Sequence, residues 1–306
     1  MNFDLTILGS GSALPTSRRN PTAHALQVHE HFFLIDCGEG TQLQIRNAKL
    51  KLSSLNQIFI SHLHGDHIFG LFGLFSTLNL LGRRNELQLF GPPGLEQIVE
   101  FYEQSLTEGN QYKILVIPIH SRGFSPLFSS KKIEVFSFPL KHRVPAWGFL
   151  FLEKEREPNL RKEMLEHYKL KLLDILHIKK GNDFITVEGN TIPNSELTLP
   201  APAPRSFAFC SDTSYYERIA SWIEGVDLLY HEATFANNDR KIAKQTGHST
   251  AQQAASIAKK AGAKKLIIGH FSNRYKDVSL LLREAREVFP ETYLAEDLEV
   301  HSISQK

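Results

Sequence analysis

The residues with the strongest chemical character lie in one short run, Ser61-His62-Leu63-His64-Gly65-Asp66-His67, directly after the apolar stretch Gln57–Ile60. Three imidazoles and a carboxylate within six positions supply the nitrogen and oxygen donors that borderline metals such as zinc favour. A strand end followed by a turn at Gly65 can aim such side chains at one or two centres. With only 14 histidines among 306 residues, a solvated turn that gathers three of them by coincidence is the poorer reading. Three later candidates share the local design of a polar group following an apolar run: His142 after Phe136–Leu140, Asp212 after Phe207–Ser211 and His270 after Leu266–Gly269. Taken singly, each is more readily a structural residue than a ligand. Their shared placement changes that, because groups at the ends of successive strands converge on one edge of a sheet, where open α/β sheets carry their sites.

The elements that must position these groups follow from the same pattern. Leu5–Leu8, Phe32–Ile35, Gln57–Ile60, Lys132–Phe138, Ser206–Phe209, Leu228–Tyr230 and Lys265–Ile268 have the length and composition of buried strands. A helix is predicted from Ser249, with Gln252 completing a capping box, alanines at 251, 254, 255, 258 and 261 on one face, and Gly262 as its stop. Ile68–Gly82 is uncharged but shorter than the ~20 residues a membrane span needs, and is expected to be a buried helix. The chain reads as two α/β halves, Met1–Phe151 and Ser206–Lys306, around a stretch of different character. Lys154–Lys180 holds eight Lys/Arg against five Asp/Glu, and the PAPAP run at Pro200–Pro204 stiffens the return to the next strand.

Composition bounds the partners. A net charge of +2 gives no strong overall field, so affinity for nucleic acid must come from a local basic patch. Two cysteines, Cys37 and Cys210, exclude a disulfide framework and point to a reducing compartment. The N-terminal MNFDLTILGSGS reads as a first strand rather than an export signal. The expected setting is the cytoplasm, without a membrane partner.

The motif His62-x-His64-x-Asp66-His67 with His142, Asp212 and His270 resembles the metallo-β-lactamase superfamily. Further segments resemble, more narrowly, the ribonuclease Z family: LGSGSALPTSRRN at Leu8–Asn20, DCGEGTQ at Asp36–Gln42, HEATF at His231–Phe235, GHST at Gly247–Thr250 and GHFSNRY at Gly269–Tyr275. This resemblance implies an α/β, four-layer αββα sandwich with a protruding tRNA-binding arm inserted at 154–194. It implies two Zn2+ per subunit: one on His62, His64 and His142, the other on Asp66, His67 and His270, with Asp212 bridging. Asp66 would also take the proton of the attacking water, and His248, oriented by Glu232, would serve the leaving group. The implied activity is removal of the 3′ trailer from precursor tRNA, by a homodimer in which one subunit's arm serves the other's site.

Plainer roles exist for the helpers. His248 precedes the helix start and could close a turn, Glu232 could pair with a surface base, and Asp36 could orient a ligand histidine or simply shape a turn. His24, His29, His31, His120, His167, His177 and His301 lack ligand spacing. The arm region departs from the family, because it has no Gly-Pro-rich tip; Leu160–Ile178 instead suggests one or two amphipathic helices. The competing activity is hydrolysis of small phosphodiesters or sulfate esters on the same scaffold. An RNA-binding module with structural zinc is weaker, since structural sites close their coordination with four protein ligands. A β-lactamase is disfavoured by the joint presence of HEAT, HST and HFSNRY.

Overall fold

The computed structural model describes residues 2–305. The described residues divide into two compact units, 2–152 with 205–304, and 153–204 with Gln305. Strands β1 (Phe3–Gly9), β2 (Ala23–Val28), β3 (His31–Ile35), β4 (Leu55–Phe59), β5 (Leu87–Gly91) and β6 (Ile114–Pro118) come first, followed by β7 (Ser125–Ser129), β8 (Ile133–Pro139) and β9 (Trp147–Glu153). The second unit holds the two-residue strands β10 (Asn159–Leu160), β11 (Phe184–Ile185), β12 (Thr191–Ile192) and β13 (Thr198–Leu199). The chain closes with β14 (Ser206–Cys210), β15 (Leu228–Glu232), β16 (Lys265–Gly269), β17 (Thr292–Leu294) and β18 (Val300–Ser302).

In the larger unit two seven-stranded sheets form, ordered β18-β1-β2-β3-β4-β5-β6 and β17-β16-β15-β14-β9-β8-β7. The last strand thus returns to pair with the first. Phe33 and Phe59 of one sheet meet Phe149 and Phe151 of the other, with Phe59 5.5 Å from Phe149 and Phe33 5.4 Å from Phe151, ring centre to ring centre, and Phe90 meets Phe128 at 6.2 Å. Such aromatic packing buries a large apolar area between the sheets. Helices cover both outer faces. Helix Ala251–Ala261 lays Ala251, Ala254, Ala255, Ala258 and Ala261 into the core, the small side chains allowing a close approach. The fold is the α/β, four-layer αββα arrangement of the metallo-β-lactamase class.

The strands β3, β4, β5 and β6 are parallel, as are β14, β15, β16 and β17. Parallel neighbours end at the same edge of their sheet, so residues just past their ends are brought together. This is why Asp36, Ser61–His67, Asp212 and His270 can meet.

Two local expectations shift. The capping box of the alanine helix is Thr250 with Gln253, one residue later than predicted, while Ser249 instead donates from Oγ to Thr213 O at 2.6 Å. Gly262 does stop the helix, in a left-handed conformation. The helix predicted within Ile68–Gly82 spans Leu71–Leu80 and buries only one face, with Leu71, Leu74, Phe75 and Leu78 inside; Leu80 and Leu81 are exposed. Its partner sheet covers a single stripe, as for any outer-layer helix. Among the described residues no helix is long and apolar enough to cross a membrane.

In the smaller unit β10 pairs with β13 and β11 with β12, both antiparallel. Leu160–Ile178 becomes two short helices, Lys162–His167 and Leu172–Lys179; of their residues only Ile178 is buried, and Leu172, Leu173 and Leu176 are exposed.

The turns around the strand ends are packed backbone to backbone. Gly70 N donates to Cys37 O at 2.9 Å and Cys37 N to His67 O at 2.8 Å. A Cβ on Gly70 would overlap Gly38 O, and one on Gly38 would come 2.6 Å from Asp66 O. Overpacking of this kind costs about 1–3 kcal/mol. Gly70→Ala is therefore expected to lower the urea midpoint of unfolding by a corresponding amount, and an unchanged midpoint would show that these turns can move apart.

Candidate metal centre

The sequence places His62 just past β4, and the short helix Gly65–Ile68 that follows carries Asp66 and His67. Asp212 lies two residues past β14, His270 follows β16 directly, and His142 lies three residues past β8. All seven ligand-type residues predicted from sequence meet in one place. His62 Nε2 is 2.9 Å from His64 Nδ1, which is 3.3 Å from His142 Nε2. Asp212 Oδ2 faces this first group, 3.5 Å from His62 Nε2 and 3.6 Å from His142 Nε2. Its other oxygen, Oδ1, faces a second group, 3.2 Å from His67 Nε2 and 3.1 Å from His270 Nε2. Asp66 Oδ2 completes that group at 3.6 Å from His67 Nε2 and 3.5 Å from His270 Nε2.

The donor chemistry fits metal ions. His67 Nδ1 is held by Asp36 Oδ2 at 2.8 Å and His142 Nδ1 by Gly247 O at 2.8 Å. Both partners can only accept, so each Nδ1 carries a proton and each Nε2 is the nitrogen turned to the cluster, where it can serve a metal ion. The Nε2 atoms of His67 and His270 are buried and have no hydrogen-bond partner. Metal-bound histidines are held in this way, through the ring nitrogen that faces away from the ion. The cluster fits a metal cofactor, and His62–His64–His142–Asp212 and Asp66–His67–His270 are the two sets whose donor atoms converge.

Electrostatics agree. Burial resists charge on His67, yet Asp36, Asp212 and Asp66 outweigh it and raise its pKa well above the ordinary imidazole value. Burial likewise works against the Asp212 carboxylate, but His270, His67 and His62 hold its pKa well below the usual range. In contrast, burial dominates at His142 and lowers it to about 4. The carboxylates thus draw positive charge to the centre, while the first three imidazoles resist taking up a proton and stay available as neutral donors.

Asp36 answers the question left open by the sequence. It accepts from Ser61 N at 2.7 Å, Ser61 Oγ at 2.9 Å and His67 Nδ1, so it orients a ligand-type histidine. Ala13 N donates to Asp66 Oδ2 at 2.9 Å. The loop carrying Ala13 is pinned by Asp297, which accepts from Ser10 and Asn20 through both backbone and side chain. His248 and Glu232 are joined, Nδ1 to Oε1, at 3.0 Å, and Glu232 is fully buried, which excludes a surface pairing for it. Burial opposes charge on His248, but the adjacent Glu232 carboxylate prevails and raises its pKa to about 9. Ser12, Ala13, Arg143, Thr246 and His248 border an open cleft of about 400 Å3 around the ligand-type residues.

Of the histidines without ligand spacing, His24 is wholly buried against Phe209 and Tyr230. The Ala13 amide, Ser61 and Thr234 were not foreseen as site groups. Only adjacency could have signalled them: Ser61 precedes His62, and Thr234 follows Glu232 by two.

Ribonuclease Z of Parabacteroides distasonis is 49% identical over 296 residues, covering 97% of both chains. The chain belongs to the ribonuclease Z family. A family model described as Anti-Pycsar protein Apyc1 also matches residues 3–288, so the chain carries that family's pattern over most of its length. Among solved structures, the short form of human tRNase Z is 30% identical with a TM-score of 0.71, over 98% of this chain and 99% of its own. The metallo-β-lactamase fold protein YhfI of Bacillus subtilis shares the fold at 19% identity and a TM-score of 0.70, over 99% of this chain and 100% of its own.

Removing the carboxylate that orients a ligand histidine typically weakens metal affinity about 10–100-fold. Asp36→Asn should show a loss of that size in chelator competition with its helical circular dichroism intact; wild-type metal retention would reduce Asp36 to a turn-forming residue.

Proposed function

We propose that the chain is a metal-dependent endoribonuclease that cuts precursor tRNA after the acceptor stem, leaving a 3′-hydroxyl on the tRNA and a 5′-phosphate on the trailer. The observation that carries this reading is the His248–Glu232 pair beside the convergent ligand set. The names of its relatives, ribonuclease Z and tRNase Z, give the substrate. We assign two Zn2+: His62, His64 and His142 would hold one, Asp66, His67 and His270 the other, and Asp212 would serve both. Seven donors exceed what one tetrahedral ion can use. When bound, such a pair activates water and stabilises the charge that builds on the phosphate.

The chain's own residues supply the proton transfers. Glu232 holds Nδ1 of His248, which leaves Nε2 for the cleft. With its pKa raised to about 9, His248 is protonated at neutral pH and can donate. As water's oxygen bonds to phosphorus and the P–O3′ bond breaks, the Nε2 proton passes to O3′ and prevents its return. Asp66, turned toward the cleft by the Ala13 amide, takes the proton released by the water.

The segment 154–194 is the proposed tRNA-binding arm. Its exposed Lys162, Lys169, Lys171 and Lys180 suit phosphate contacts. A homodimer acting in the cytoplasm is part of this reading; exposed Leu43, Phe69, Leu80, Leu81 and Phe101 offer apolar surface for a second copy.

Two tests bear on these roles. His248→Ala should retain two metal ions per chain by elemental analysis while cleaving precursor tRNA about 10²–10⁴-fold more slowly; undiminished turnover returns His248 to turn closure. Because β10 pairs with β13, the arm is best excised at that base. Replacing 159–199 by a short Gly/Ser linker should spare hydrolysis of a chromogenic phosphodiester and abolish tRNA cleavage. If both the intact and the shortened chain hydrolyse only the small ester, the small-phosphodiesterase reading replaces this one.

A further inference from the structure

Glu232 accepts more hydrogen bonds than its pairing with His248 requires. Oε1 takes Thr213 N, Ser249 N and His248 Nδ1, each at 3.0 Å. Oε2 takes Thr234 N at 3.0 Å and Thr234 Oγ1 at 2.7 Å. Three of these donors are backbone amides, which cannot accept. A buried carboxyl group so surrounded is ionised and has no proton to give. The Thr234 hydroxyl therefore spends its single hydrogen on Glu232, and its oxygen can only accept from the imidazoles beside it. His248 Nδ1 lies 3.4 Å away but is closer to Glu232 Oε1, at 3.0 Å, which leaves Nδ1 of His270, 3.0 Å away, as the donor to the hydroxyl oxygen.

The direction of this chain fixes a tautomer. His270 must carry a proton on Nδ1, which leaves Nε2, turned toward Asp212 and Asp66, as the nitrogen for a metal ion. We propose that Thr234 is a positioning residue whose hydroxyl joins His270 to the Glu232–His248 pair, so that one carboxylate sets both a metal ligand and the proton donor. This rests on the roles proposed above for His270 and His248.

The other half of the chain is built alike. Asp36 holds His67 directly, and the Ser61 hydroxyl, donating to the same carboxylate, lies 3.0 Å from His62 Nδ1. In each half a carboxylate and a hydroxyl together serve two imidazoles, one by direct contact and one through the hydroxyl. Asp36 and Ser61 serve two ligand-type histidines. Glu232 and Thr234 serve one such histidine and the proton donor, so of the two hydroxyls only that of Thr234 links both tasks.

The test uses Thr234→Val, which keeps shape and removes the hydroxyl, and Thr234→Ser, which keeps the hydroxyl. Histidine nitrogen NMR on the metal-free wild-type protein should find His270 protonated at Nδ1. An unprotonated Nδ1 overturns the proposal without any variant. In chelator competition with Zn2+, Thr234→Val should hold one ion per chain about 10–100-fold less tightly. At saturating Zn2+ it should still cleave precursor tRNA with lower kcat and unchanged KM, and Thr234→Ser should recover most of both losses. His248→Ala, by contrast, should lower kcat and leave Zn2+ retention alone. Thr234→Val with wild-type retention and an unaltered His270 tautomer overturns the proposal, as does a Thr234→Ser variant no better than Thr234→Val. If no form cleaves tRNA, the RNA-processing reading fails, while the tautomer and retention still decide the role of Thr234.

Discussion

Asp212 is the constraint on which the centre depends. Its carboxylate is buried, with Oδ2 turned to His62 and His142 and Oδ1 to His67 and His270. An ion taken from water into such surroundings costs several kcal/mol unless charge of the other sign is close. His270, His67 and His62 offset part of that cost and hold the carboxylate's pKa well below the usual range, and Ser211 Oγ donates to Oδ1 at 3.0 Å. A cation between the imidazole and carboxylate donors would satisfy them together, and binding one would then add to the stability of the fold.

Holding those donors in place strains the backbone. Asp36, Asp212 and His270 all have left-handed φ, at 58°, 49° and 57°, and Ala13, which supports Asp66, has 58°. The left-handed region costs a non-glycine residue roughly 1–2 kcal/mol. At Asp212 and His270 the strand must turn sharply so that a side chain that would otherwise follow the sheet's alternation instead faces the neighbouring strand ends. The conformations persist because other contacts over-determine them, as at Asp36, whose carboxylate holds Ser61 and His67.

This division explains what could be read from sequence. The ligand-type residues were legible because each stands directly after an apolar run, and because four of them crowd into six positions. The sheets were legible for the same reason, through short β-rich runs between turns. The capping box falls one residue later than the sequence suggests because Ser249 and Thr250 are equally good caps locally; what decides is that Ser249 Oγ donates to Thr213 O, 36 positions away. Helix Leu71–Leu80 seemed wholly buried because composition reports apolarity, not which faces are covered. The supporting network was hidden altogether. Asp297 reaches Ser10 across 287 positions and Ala13 reaches Asp66 across 53, and neither contact leaves a periodic trace.

The charges at the centre also suit its proposed substrate. Asp36, Asp66, Asp212 and Glu232 bring four negative charges to a buried region of a chain whose overall net charge is only +2. Two divalent cations, bound as proposed, would balance those four carboxylates. A protonated His248 would then leave one positive charge in excess, beside the cleft. A phosphodiester carries one negative charge, and the transition state of its hydrolysis places more on the oxygens that leave and enter. A site neutral except for a donor proton at the leaving oxygen binds the ground state modestly and the transition state more strongly, which is the condition for accelerating the reaction. A general basic surface would bind both equally and contribute only to affinity. On the proposed reading the chemistry would lie in this cluster, whereas a grip on the body of an RNA would come from exposed lysines elsewhere, such as Lys169, Lys171 and Lys180.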